Sequence, residues 1–464
     1  MARDFIFPPW FTPSAMEKRL PRKAKPARPV PPKAAEVPGL AARRAALDIL
    51  TLVAAGKTLD DALADCRSFN ALEGPDRAFA HAMAATVLRR RGSIDHAIGL
   101  YIDKPLPKRS ARATDILRLA TAQTLILGTP AHAAVSTAVA LAEAFRETEN
   151  YAALVNAVAR KISALGSDLF AKLPERIDTA GWMWRSWERA YGAETTRAIA
   201  RANAAEAPID LTPRDPADAA ALAADTGGAL LPTGSVRLSP GAKVVALPGY
   251  EDGRFWVQDA AAAIPARLLG DIRGKRVFDL CAAPGGKTMQ LAAAGAEVIA
   301  VDSSGERLKR VQENLARTKL AAKTVKADVL NWAPEGLADA VLLDAPCTAT
   351  GTIRRHPDIL WAKSEESLKE TTALQAALID RAVAMTKPSG MIVYCDCSLQ
   401  PEEGEKQIAA ALARHSALER SPVSAVEIGG LAAVTRDGDF RSLPSMLADH
   451  GGMDGFFAAR LIRR

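Results

Sequence analysis

Arg276-Val-Phe-Asp-Leu-Cys-Ala-Ala-Pro-Gly-Gly-Lys-Thr288 reads as a buried strand that runs into a glycine turn and then a helix. Glycines at such a turn let a ligand approach the backbone closely. Gly286-Lys287-Thr288 imitates the end of a phosphate-binding Walker loop, but the first glycine of that loop would fall at Cys281. The dinucleotide pattern GxGxxG is absent as well. Downstream, Glu297-Val-Ile-Ala-Val-Asp302, a helix from Glu306 and Asp339-Ala-Val-Leu-Leu-Asp344 continue the alternation. That alternation implies a mainly parallel, doubly wound α/β sheet. Asp302 ends the second strand, where a carboxylate can accept hydrogen bonds from ribose hydroxyls. Asp328 ends a third and could meet an adenine amino group. Each acid alone could be a helix N-cap, but Asp279, Asp302 and Asp328 at successive strand ends point to a nucleoside site.

Two further strand ends carry thiols. Gly390-Met-Ile-Val-Tyr-Cys-Asp-Cys-Ser398 is an apolar run that places Cys395 to Ser398 at its carboxyl end. Asp344-Ala-Pro-Cys347 does the same one strand earlier. Free cysteine is among the most buried residue types, so either thiol alone could simply finish a core strand. Two at neighbouring strand ends would face one pocket, where open α/β sheets bind ligands.

The chain of 464 residues is long enough for two or three domains, and it has no apolar run that suggests a membrane span. Its net charge of +7 is unevenly placed: residues 1–38 hold eight Lys/Arg against three Asp/Glu. The remainder is therefore near neutral, and an anionic partner such as RNA must be met by local patches. The five cysteines, at 66, 281, 347, 395 and 397, are odd in number and form no CxxC framework, which argues for a reducing compartment and against zinc. The N-terminus lacks a continuous apolar leader, since Pro8, Pro9 and Pro13 interrupt it, and the cytoplasm is the expected location. A monomer without membrane or DNA partners is expected.

Residues 1–38, basic and proline-rich, read as an extended tail. Residues 39–170 are Ala/Leu-rich and helical, with five to seven helices between breakers such as Gly74-Pro75 and Gly128-Thr-Pro130. Arg43, Arg44, Arg89, Arg90, Arg91, Lys104, Lys108, Arg109 and Arg112 could together form a basic face. Residues 171–254 begin with Trp182, Trp184 and Trp187, read as core, and pass into short strands and turns that suggest a small α+β subdomain. Residues 255–464 hold the α/β sheet. Arg118-Leu-Ala-Thr-Ala-Gln123, the run from Pro130 to Ala142, and Leu154-Val-Asn-Ala-Val158 resemble the NusB-type helical RNA-binding domain.

Phe255-Trp-Val-Gln-Asp259, Asp279 to Thr288, Val301-Asp302, Asp344 to Cys347, Tyr394 to Ser398 and Asp454-Gly-Phe-Phe457 follow in order. With these motifs the chain resembles the RNA 5-methylcytosine methyltransferases of the Nop/Sun family, and most closely the RsmB-type branch that acts on 16S ribosomal RNA and carries a NusB-like domain. The resemblance implies three parts: an all-α NusB-like bundle, a small α+β subdomain and a Rossmann-like methyltransferase domain. It also implies S-adenosylmethionine as cofactor and small-subunit ribosomal RNA as substrate. Methylation of tRNA or another RNA, or a non-catalytic role in ribosome assembly, remain open on the residues alone.

Cytosine C5 is a poor nucleophile, so a thiolate adds at C6 to make an enamine whose C5 can attack a methyl group. The resemblance makes Cys397 that nucleophile, and gives Cys347 the assistance of proton removal and product release. It places Asp344 on the cytosine amino group and Lys287 near the base, where its charge could also lower a thiol pKa. Cys281, Ala282, Ala283, Pro284, Gly285, Gly286, Lys287, Asp302, Arg307, Asp328 and Asp344 would hold the cofactor. Arg354, Arg355 and His356 would face the RNA backbone. Three positions depart from the family pattern: Asp396 puts a carboxylate beside the nucleophile unless it points to the other face of its strand; Cys395 could pair with Cys397; and Ile209-Asp-Leu-Thr-Pro-Arg214 replaces an expected RNA-contacting segment.

Overall fold

The computed structural model describes residues 37–102, 106–107, 110–166 and 168–464. The tail up to residue 36 and the basic residues Lys104, Lys108 and Arg109 lie outside them. Residues from Pro38 onward form one compact unit.

Among the described residues, eight α-helical segments run from Leu40–Ala54 to Ala152–Ser163. The sequence suggests five to seven; the additional pieces are short, Leu59–Asp65 and Arg67–Asn70, each less than two turns of apolar periodicity. Leu47, Ile49, Met83, Leu117, Leu141 and Val155 fill the bundle core. The arginines expected to form a basic face are largely engaged within the protein. Arg43 is buried and donates to Gln123 (2.9 Å), Arg90 pairs with Asp178 (2.9 Å), and Arg112 pairs with Glu147 (2.9 Å).

A four-stranded antiparallel sheet follows: β1 (Ile209–Pro213), β2 (Ala229–Leu230), β3 (Val236–Leu238) and β4 (Phe255–Val257), in the order β2-β3-β1-β4. Phe255–Val257, which the sequence places at the start of the catalytic segment, pairs with β1 and completes this sheet. Asp210, in the segment that departs from the family pattern, is fully buried and holds Arg237 through two contacts of 2.6 and 2.7 Å. Its role here is structural.

The large sheet contains β5 (Arg276–Leu280), β6 (Glu297–Asp302), β7 (Lys323–Lys326), β8 (Ala338–Asp344), β9 (Thr386–Asp396), β10 (Leu418–Arg420), β11 (Phe440–Ser442) and β12 (Phe456–Arg463). Strands β7-β6-β5-β8-β9 are parallel, and β12 joins β9 antiparallel. Both faces are covered, so the strands read as continuous apolar runs rather than alternating ones. Along β9, Ile392 and Tyr394 enter the core beneath helix Glu365–Met385, while Val393 and Cys395 enter the opposite core with Val277 and Leu342. Chain order reverses between β5 and β8, and the crevice at such a switch point is where doubly wound sheets bind ligands.

Four buried or half-buried charges tie distant parts of the chain together. Arg354 contacts Asp259 (3.0 Å) and Asp454 (2.8 Å), and Arg355 contacts the same two carboxylates (2.6 and 3.1 Å). Burial pushes Asp259 up, but the charges of Arg355 and Arg354 outweigh it and hold the carboxyl below its ordinary range. Segment 354–361 also meets the helical bundle: Arg89 donates to the Arg354 carbonyl (3.1 Å), Leu59 N–H to Asp358 (3.2 Å), and the Trp361 indole to the Leu88 carbonyl (2.7 Å). Removing one member of a buried ionic cluster strands its partners' charge. Asp259→Ala is expected to lower stability by about 3–5 kcal/mol, read as a lower urea midpoint; a midpoint equal to wild type contradicts the assignment.

Candidate active site

Register brings the thiols together. Asp344 at the end of β8 lies opposite Cys395 in β9, so the residues that follow emerge side by side. Ala345 N–H donates to the Cys395 carbonyl (2.8 Å), and Gly351 N–H to the Cys397 carbonyl (2.8 Å), fastening the Cys347 loop along the end of β9. The sulfurs of Cys347 and Cys397 are 3.5 Å apart, a hydrogen-bonding thiol pair and not a disulfide. The hydrogen bond with Cys397 and burial push the Cys347 thiol well up. Cys347 is therefore the member that keeps its proton.

Cys395 is fully buried and its sulfur lies 3.5 Å from Asp344 Oδ1. Burial and the Asp344 charge push this thiol up too. It is a core thiol, and the sulfur partner of Cys397 is Cys347. Asp396 alternates to the other face of β9. Its Oδ1 accepts the Ser398 N–H (2.7 Å), its Oδ2 is buried without a partner, and burial outweighs nearby Arg441 to favour the protonated acid. The carboxyl thus neither points at Cys397 nor favours a negative charge.

Lys287, in the first turn of helix Gly286–Ala293, reaches back to Asp344 at 2.8 Å, with its ammonium 4.8 Å from the Phe456 ring centre. Burial pushes Lys287 down, but the Asp344 charge and hydrogen bond outweigh it and hold the ammonium above its ordinary range. Cys281 adopts φ 61° and Gly285 φ 102°, the left-handed turn that leads Ala282, Ala283, Pro284 and Gly285 into the helix at Gly286. The buried Asp302 carboxylate receives Ala283 N–H (3.1 Å) and Ser304 N–H (2.9 Å). Arg307 donates to the Ala283 carbonyl (2.5 Å) and holds the turn. Asp328 is exposed, two residues beyond β7, and accepts Leu330 N–H (3.0 Å) and the Asn331 amide (2.6 Å). Its turn-capping role is thus realised as well. Cys281, Asp302, Arg307, Asp328, Val329, Pro346, Leu374 and Leu378 enclose a cavity of about 120 Å³.

One expectation is corrected. Arg354 does not face an RNA backbone: it is 1% exposed, and it and the half-buried Arg355 are held by Asp259 and Asp454. His356 Nδ1 lies 3.5 Å from Asp60 of the helical bundle. Sequence reasoning also passed over Glu403, a fully buried carboxylate that receives Thr348 N–H (2.8 Å) from the residue after Cys347. Only the fold reveals this burial.

A doubly wound sheet with a glycine turn, strand-end acids and paired thiols at its switch point defines a methyltransferase of the Rossmann-like class. Residues 266–462 match the family model of the 16S rRNA methyltransferases RsmB/F, and residues 40–164 that of the NusB family. The chain is 33% identical over 409 residues to ribosomal RNA small subunit methyltransferase B of Cronobacter sakazakii, covering 84% of this chain and 91% of that one. The Escherichia coli K12 protein of the same name is 33% identical over 405 residues, with the same coverage. The crystal structure of PH0851 superposes with a TM-score of 0.70 at 22% identity, covering 92% of this chain and 99% of that one. A methyltransferase homologue from Pyrococcus horikoshii gives 0.50 at 25% identity, covering 60% and 94%. The chain belongs to the RsmB/F family of S-adenosylmethionine-dependent 16S rRNA methyltransferases.

Asp279 supplies a pH test of this crevice. It is fully buried at the end of β5, and burial lifts its carboxyl to about 7 despite a hydrogen bond from Thr288. An unfolded Asp titrates near ~3.9, so between there and about 7 the folded state binds the extra proton. Its contribution to stability is full below the unfolded value and is lost as pH rises through the folded one. Asp279→Asn is expected to flatten this fall in thermal midpoint between pH 4 and 7; an unchanged pH profile contradicts the burial argument.

Proposed function

We propose that this protein transfers a methyl group to C5 of a cytosine in small-subunit ribosomal RNA through a covalent bond between Cys397 and C6. The observation that carries the reading is the 3.5 Å contact between Cys347 and Cys397 beside the Lys287–Asp344 pair. Five free thiols fit a cytoplasmic, reducing setting. Among the described residues no helix is long and apolar enough to cross a membrane.

The crevice fits the cofactor. Each Asp302 oxygen accepts one backbone N–H and keeps a further lone pair for a ribose hydroxyl. Asp328 stands beside an apolar slot of Val329, Pro346, Leu374 and Leu378 suited to a flat adenine, and neutral Cys281, its thiol pushed up to about 12 chiefly by burial, adds no competing charge. The turn from Ala282 to Gly286 would line the methionine portion. S-adenosylmethionine, when bound, supplies the electrophilic methyl group.

The side chains divide the work. Cys347, retaining its proton, hydrogen-bonds the Cys397 sulfur, whose thiolate form adds to C6 as the C5=C6 pair moves onto the ring. Asp344, paired with Lys287, accepts a hydrogen bond from the cytosine amino group. After C5 is methylated, the C5–H pair re-forms C5=C6 and the C6–S pair returns to Cys397. The C5 proton passes to the Cys347 sulfur while the Cys347 proton passes to the departing Cys397 sulfur. Both cysteines end as thiols, and charge balances.

RNA carrying 5-fluorocytosine at the target cannot complete elimination, so wild-type protein is expected to form an adduct that survives denaturing electrophoresis. Cys397→Ala should abolish it. Cys347→Ala should instead accumulate adduct on unmodified RNA. An adduct that persists in Cys397→Ala overturns the nucleophile assignment.

A further inference from the structure

Glu403 has no cation against it among the described residues, yet it is fully buried. Its carboxylate is satisfied by four donors: Thr348 N–H (2.8 Å), the Thr348 hydroxyl in a short contact, the Thr371 hydroxyl (2.7 Å) and the Gln375 amide (3.2 Å). Burying an unpaired carboxylate is costly, and hydrogen bonds to a charged acceptor are about twice as strong as neutral ones. Such a group persists where its neighbours require it.

The donors identify what it holds. Two come from Thr348, directly after Cys347, and two from helix Glu365–Met385. The same Gln375 amide donates to the carbonyl of Pro346 (2.9 Å), directly before Cys347. Cys347 is thus fastened on both sides to one helix through Glu403 and Gln375. Thr348 Oγ1 also lies 3.1 Å from Ser398 Oγ, and Ser398 directly follows Cys397. On the far side, the Tyr394 hydroxyl donates to the Glu403 carbonyl (2.5 Å) and ties the acid to β9 itself. The chain Glu403, Thr348, Ser398 therefore sets the spacing of the two sulfurs from behind, without touching the crevice.

We propose that Glu403 is a positioning residue for the release half of the reaction, holding the Cys347 sulfur where it can relay a proton between the methylated base and Cys397. This rests on the covalent reading above. Formation of the C6–S bond needs chiefly Cys397. Release needs the C5 proton, the Cys347 sulfur and the Cys397 sulfur in line, so it is the step that a displaced loop impairs. Glu403 also acts, beside Cys397, in the direction that keeps Cys347 a thiol.

The test uses the full chain and unmodified target RNA. Glu403→Gln keeps the shape but replaces an acceptor with a donor facing Thr348 and Gln375. It should retain first-turnover methyl transfer, accumulate covalent RNA–protein adduct as Cys347→Ala does, and slow multiple turnover by on the order of 100-fold, the scale of a 1 Å misplacement. A merely structural role would lower adduct formation and turnover together. Thr348→Val, which removes one donor and leaves the carboxylate, should give the same pattern more weakly and carries the test if Glu403→Gln fails to fold. Wild-type-like turnover in both variants, or equal loss of formation and release in a folded variant, overturns the proposal. A wild type that forms no adduct on 5-fluorocytosine RNA removes the covalent reading beneath it, an outcome distinct from normal release in Glu403→Gln.

Discussion

The account depends on a constraint of parallel sheets: strands that run the same way deliver their carboxyl ends to one edge, so whatever follows them must share a crevice. Strands β5, β6, β8 and β9 deliver there Cys281, Asp302, Asp344 and Cys397 in turn. Register then sets the finer geometry. Because Asp344 lies opposite Cys395, the loop that carries Cys347 folds back along β9 and places its sulfur against that of Cys397.

Buried charge fastens the loops that the sheet leaves free. The Arg354–Arg355 pair joins Asp259, just after the small sheet, to Asp454, just before the last strand. Arg441 likewise grips Glu405 (2.8 Å) and the Ser398 carbonyl (2.5 Å) beneath the nucleophile loop. The helical bundle takes part, since Trp361 and Asp358 bind its backbone within a few residues of Arg355. A bundle so joined is a structural extension of the site and not merely a tethered RNA anchor.

Much of this was legible in the sequence, for identifiable reasons. Arg276–Leu280 and Glu297–Asp302 match their observed bounds because a strand covered on both faces is a short apolar run with sharp breakers. The two cysteines stood out because strand ends are where such sheets bind ligands. Charged side chains were read less well. Arg354 and Arg355 looked like RNA contacts, and Glu403 drew no reading, because a sequence displays a charge but not the partner that lets it be buried. Asp396 was left open for the same reason: alternation gives two faces, and only the packing of β9 against helix Glu365–Met385 says which face it takes.

The proposed chemistry is methylation of cytosine C5 in ribosomal RNA by way of Cys397. Its most direct measurement is bisulfite mapping of 5-methylcytosine across total RNA from cells whose only copy carries Cys397→Ala. The account predicts loss of signal at a small-subunit ribosomal RNA position, restored by the wild-type gene. A map identical to wild type would contradict it.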